Sequence, residues 1–279
     1  MRLLTRCRCD MNAHVRPFAV AMVVALIARG GSGIAQEAPR LTDNDLKGLI
    51  ESVDDARDRF EDALDGGFKH SVVRGPRGEV QVNQYLDDLQ ENVKHLRERY
   101  TSQYSASAEA LTVLRQGTDI HGYMKAQPDT MKGASEWDRL AGSLGRLARA
   151  YGATFPLPPD APVRRINDKE AAAAADAAAK SADEFKKAVG RDKTLPTAQR
   201  DALKQDADDL AKQCKAVKSR LNDGKPATAE ARQMFEATAR VSDAASSASP
   251  ATLSALGPLR ASMATLHQAF GLAPPPVPR

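Results

Sequence analysis

From Leu46 onward, apolar residues recur at intervals of three and four, stripe after stripe. Leu46, Leu49, Ile50, Val53, Phe60 and Leu64 form the first stripe, a spacing that puts one apolar face along a helix. "TDND" (42–45) precedes it as a Thr-x-x-acid start signal. Gly66 and Gly67 follow as residues suited to a left-handed helix end. Leu86, Leu89, Val93, Leu96 and Tyr100 make a narrower stripe, the seam of closely packed antiparallel helices. A third helix is predicted through Ala110, Leu114 and Ile120. A fourth is predicted from Ser135 as N-cap, carrying Trp137, Leu140, Leu144, Leu147 and Tyr151. Strand patterning is confined to "SVV" and "EVQV" in the stretch 71–82.

The pattern then repeats. "LDDLQENVKHLRERY" (86–100) and "ADDLAKQCKAVKSRL" (207–221) align at an offset of 121, as do "SASAEA" (105–110) and "PATAEA" (226–231). "GSLGRLARAYG" (142–152) meets "ASMATLHQAFG" (261–271) at 119, and "FEDAL" (60–64) meets "FKKAV" (185–189) at 125. Four segments recur in one order, and the offset changes fall between them, where a loop can lengthen at small entropic cost. The second set predicts helices over 168–189, 197–221, 227–246 and 250–270, the last begun by Ser249-Pro250 and kinked or shortened near Pro258. Short connections favour antiparallel neighbours. The expected fold is therefore all-α and internally duplicated: two tandem up-down four-helix bundles, 36–154 and 167–271, joined by the Pro-rich linker 155–166 and followed by a Pro-rich tail, 272–279.

The first 35 residues change the charge picture. Arg2, Arg6, Arg8 and Arg16 precede the apolar "PFAVAMVVALIA" (17–28), and Gly33 and Ala35 occupy positions −3 and −1 of a cut before Gln36. That order is the order of a secretory signal peptide, with translation starting at Met1 or Met11. The chain as a whole carries 40 Lys and Arg against 36 Asp and Glu. Residues 1–35 hold five of the bases and one of the acids, so the remainder has 35 of each. No basic surplus is left to favour nucleic acid. Cys7 and Cys9 belong to the leader, and Cys214 stays alone on an apolar stripe where Val93 stands in the first copy. A buried, structural thiol is expected there.

Candidate chemistry is sparse. Asp87-Asp88 and Asp208-Asp209 recur in both copies, but adjacent helical residues diverge by about 100°, and the flanking leucines turn the acids outward. His121 and Met124 lie three apart on one helix, a spacing at which a bundle could hold haem or a metal, although no C-x-x-C-H attachment site is present. No H-E-x-x-H, G-x-S-x-G, Walker or G-x-G-x-x-G pattern stands in its required context. Features found in both copies read as scaffold; features in one copy are candidates for function. "GGFKHSVVRGPRGEVQV" (66–82) and "DIHGYMKAQPDTMKGASEW" (119–137) occur only in the first copy. They supply Lys69, His70, Arg74, Arg77, Tyr123 and Lys125 as the expected interaction surface, while Trp137, matching Leu256, is expected in the core. The first and third connections of an up-down bundle share an end, so these segments are expected to meet. The function expected is non-catalytic, cofactor-free binding of a protein, peptide or envelope component in the periplasm or outside the cell. A haem- or metal-carrying bundle and an unrecognised exported enzyme are the alternatives.

Overall fold

The structure is a computed structural model describing residues 39–75, 78–127 and 130–271, all within one compact unit, Ala38–Arg279. The signal-peptide reading of 1–35, Arg77 and the tail 272–279 lie outside the described residues. Long helices dominate: α1 (Asp43–Ala63), α3 (Val82–Arg99), α4 (Ser107–Lys125) and α5 (Ala134–Ala150), then α6 (Asp168–Arg191), α7 (Thr197–Asn222), α8 (Thr228–Ala244) and α10 (Leu256–Phe270). Short elements fill the gaps: α2 (Gly66–Lys69), an antiparallel hairpin of β1 (Val72–Gly75) and β2 (Gly78–Gln81), a 3₁₀ turn at Ala245–Ser247, and α9 (Pro250–Ser254). Among the described residues the fold is all-α apart from that hairpin and an isolated bridge between Thr101 and Tyr104. No described helix is long and apolar enough to cross a membrane.

Local chemistry sets the helix ends. Thr42 Oγ1 accepts the Asp45 N–H at 3.1 Å while Asp45 accepts the Thr42 N–H at 3.2 Å, a reciprocal capping box. The glycines expected to close α1 instead open α2. Asp65 accepts the Gly67 N–H at 2.9 Å, so a side-chain cap starts a new turn where a left-handed end was expected. Helix α5 is likewise capped at Gly133 and not at Ser135, whose hydroxyl turns to Glu136. Gly133 has φ +86°, and a Cβ there would stand 3.1 Å from the Leu64 side chain, so glycine suits both backbone and packing. Ser249 caps α9 with Pro250 at its first position; the helix breaks at Ala255, and Pro258 falls in the first turn of α10, where a missing N–H costs nothing.

The packing is duplicated. In the first half α1 lies against α3 and α5, and α4 against the same two. In the second half α6 lies against α7 and α10, and α7 against α8. The starts of α4 and α8 are 121 residues apart and those of α1 and α6 are 125 apart, matching the sequence offsets. The stripes are buried as their spacing implies. Leu89, Leu96 and Trp137 enter one apolar cluster, and Leu203, Leu210 and Cys214 another. Asp87 and Asp88 are exposed, while Asp208 and Asp209 are half-buried and tied to Lys186 and Lys212.

Between the two clusters the chain does not run as a bare spacer. Leu157, Arg165 and Ile166 are buried, and Phe155, Ala161 and Val163 pack on the first cluster. The starts of α1 and α6 meet there. Asp43 and Asp168 each accept the other's backbone N–H, at 2.9 and 3.0 Å. Arg165 donates to Asp43 at 3.0 Å and to the Leu41 carbonyl at 2.8 Å. Arg40 makes the corresponding pair of bonds, to Asp168 and to the Ile166 carbonyl at 2.8 Å. Arg40 also donates to the Ala269 carbonyl at 3.0 Å, and Tyr100 donates its hydroxyl to Asp43 at 2.8 Å. Burial pulls the Arg40 pKa down, and neighbouring Arg165 adds to the effect. Two buried positive and two buried negative side chains thus neutralise one another across the junction.

Candidate functional site

The two segments found in only one copy meet at one end of the first half, around a cavity of ≈ 520 Å³. Its size falls in the range of small-molecule pockets, about 300–1,000 Å³, and such pockets are mostly apolar. Helix α1 contributes Phe60 and Leu64 as it ends; α2 brings Phe68 over them. Helix α3 supplies Tyr85 and Leu86, and α4 supplies Ile120, Tyr123 and Met124. The hairpin closes one side. Its register pairs Val73 with Val80 and Arg74 with Glu79. Val73 and Val80 are half-buried in the lining, and Arg74, which is exposed, borders the same cavity.

Polar groups in the lining are few. Tyr85 donates its hydroxyl to Asp119 at 2.9 Å. Thr118 is occupied, donating to the Leu114 carbonyl and accepting the Leu157 N–H, both at 2.8 Å. Arg74 is the one cation of the lining among the described residues. Its ion pair with Glu79 is long, 3.5 Å, and both side chains are exposed. Tyr123 stacks on Phe68 with ring centroids 5.7 Å apart, and partial burial raises its pKa. The stacked pair also borders a shallower recess, where Lys132 bonds Asp65 at 3.0 Å.

Of the residues picked out by sequence, Arg74, Tyr123 and Met124 line the cavity; Lys69, His70, Lys125 and His121 do not. His121 instead packs edge-on against Phe155 at 5.5 Å and near Trp137 at 6.1 Å. Burial, then Lys125, lowers its pKa. The His121–Met124 pair therefore does not converge on one cavity. Trp137 is buried and packs edge-on against Phe60 at 5.2 Å. Among the described residues no group of three or more His, Cys, Asp or Glu is placed to hold a metal ion.

Sequence reasoning passed over Phe60, Phe68, Tyr85 and Asp119. Comparing the copies position by position supplies the missing signal. At the known offset of 121, Tyr85, Leu86, Thr118, Tyr123 and Met124 face Asp206, Ala207, Ala239, Ala244 and Ala245. The second copy thus carries alanine at four of the five positions where the first carries larger cavity-lining side chains. The five residues 192–196 that join α6 to α7 are replaced in the first copy by α2 and the hairpin. The chain matches no family model, no curated protein and no solved structure.

Proposed function

We propose that this is an exported, non-catalytic ligand-binding protein built as two tandem up-down four-helix bundles, 36–154 and 167–271. Its leader is cut after Ala35, and it works in the periplasm or outside the cell. The first bundle binds; the second supports it. One observation carries the reading: the two segments that duplication did not copy converge on a single apolar cavity with few polar groups. That is the composition of a pocket that binds a small molecule. Asp119 and Tyr85 are bonded to each other, and no nucleophile–base pair lies in the lining among the described residues.

Native mass spectrometry of residues 36–279, purified from an exporting host, tests this. Nothing lies within 4 Å of the place a Cβ would take on Gly122, which lines the cavity on helix α4. Gly122→Trp therefore adds a large side chain beside the cavity without a clash at its Cβ, and is expected to obstruct the opening. Stoichiometric extra mass, lost on unfolding and absent from Gly122→Trp, is expected. A bare mass in both proteins, together with no uptake of an apolar fluorescent dye, would sink the binding reading.

A further inference from the structure

We infer that the ligand is an amphiphile with one unbranched hydrocarbon chain and an anionic headgroup, the chain lying in the cavity and the headgroup meeting Arg74. The inference rests on the binding reading above and names the ligand class for the same site.

Three observations carry it. The wall is made chiefly of aliphatic side chains, among them Leu64, Leu86, Ile120 and Met124, flanked by the ring faces of Phe60 and Phe68. Nothing there asks for a polar body. Size sets the number of chains. A methylene takes about the room of a water molecule, roughly 30 Å³, so ≈ 520 Å³ has room for about seventeen methylenes, the length of one long hydrocarbon chain.

Charge sets the headgroup. Arg74 stands at the exposed rim with only a 3.5 Å contact to Glu79, which leaves most of its five N–H donors for an anion. Among the described lining residues the one carboxylate, Asp119, accepts the Tyr85 hydroxyl, so it is already engaged within the wall. Among the described residues, one open cation borders an apolar cavity, which fits a carboxylate or phosphate on a single chain.

The test is calorimetric titration of the full chain with saturated fatty acids of about six to about twenty carbons, the matching alcohols, and a lysophospholipid. Binding of one acid per chain is expected, tightening about 4-fold per added methylene until the cavity is full. Arg74→Gln should weaken the acids several-fold and leave the alcohols unchanged, and Gly122→Trp should weaken both. Tighter binding of the lysophospholipid assigns the ligand to membrane lipid; tighter binding of the free acid assigns it to the fatty-acid pool. Affinity independent of chain length would overturn the inference, as would an equal loss for acids and alcohols in Arg74→Gln. So would tighter binding of a fused-ring aromatic acid. If an apolar dye still binds wild type but not Gly122→Trp, the cavity keeps its binding role and only the ligand class falls. If neither dye nor acid binds, both readings fall.

Discussion

Asp43 and Asp168, 125 residues apart, cap each other's helices. Each carboxylate accepts the backbone N–H of the other, at 2.9 and 3.0 Å, at the first residue of α1 and of α6. The positive end of each helix dipole and one of its unpaired donors are thereby satisfied from the other half of the molecule. "RLTD" (40–43) and "RIND" (165–168) supply the same four roles twice, and Arg40 and Arg165 complete the exchange. The ordinary cap within each helix is still present, on Thr42 and Asn167, whose side chains accept from Asp45 and Glu170. The crossed carboxylates therefore act between the copies, beyond the normal capping of either.

Breaking that junction should be expensive. Removing one member of a buried ion pair strands its partner and costs about 3–5 kcal/mol. Asp168→Ala is expected to fall in that range by urea denaturation, because Arg40 is left buried. Asp43→Ala should cost as much, with Arg165 and Tyr100 losing their acceptor. The double variant should cost less than the two single losses added, since each already opens the shared network. Strict additivity would mean the two carboxylates do not act together.

The stripes and the outer faces should separate cleanly. Leu89 and Leu210 are buried in the two clusters, so replacing either with Ala should cost about 2–5 kcal/mol. Asp87 is exposed, and Asp87→Ala should stay within about 0.5 kcal/mol. Equal losses for Leu89 and Asp87 in the same denaturation series would contradict the helix faces described above.

Cys214 should be chemically silent while the chain is folded. It is fully buried, and burial pushes its thiol up to about 12. Almost no thiolate then exists at neutral pH, and the thiolate is the reactive form. A chromogenic disulfide reagent is expected to label Cys214 only as fast as the protein unfolds. Rapid labelling of native protein would place the residue at the surface.

Acid should weaken the second half through Asp192. Its carboxylate accepts from the Thr194 hydroxyl at 2.6 Å, the Ser249 N–H at 2.9 Å and the Thr252 hydroxyl at 2.8 Å. Those bonds, Thr194's first, hold its pKa well below the usual carboxylate range. A depressed folded pKa contributes stability that is complete above the unfolded value, about 3.9, and is lost as pH falls further. Asp192→Asn should lower the urea midpoint at pH 6, and its gap to wild type should narrow between about pH 4 and pH 2. A gap that stays constant with pH would show that the carboxylate charge is not what stabilises this connection.

By itself the sequence determined which residues are helical, which face each helix buries, and that the plan occurs twice. Those properties follow from the spacing of Leu89, Val93 and Leu96 and of their counterparts Leu210, Cys214 and Val217, a local periodicity any single segment carries. The segments 66–82 and 119–137, singled out because only the first copy carries them, contribute residues to one cavity. Helix ends were less legible: Asp65 competing with Gly66, and Gly133 with Ser135, were decided by which cap the neighbouring chain left room for. The joining of the two halves was decided only in three dimensions. "RLTD" and "RIND" look like two ordinary helix starts until Asp43 and Asp168 approach each other. The cavity is tertiary in the same way. Phe60, Tyr85 and Ile120 are far apart in the chain, and only the packing of α1, α3 and α4 with the hairpin brings them around one cavity.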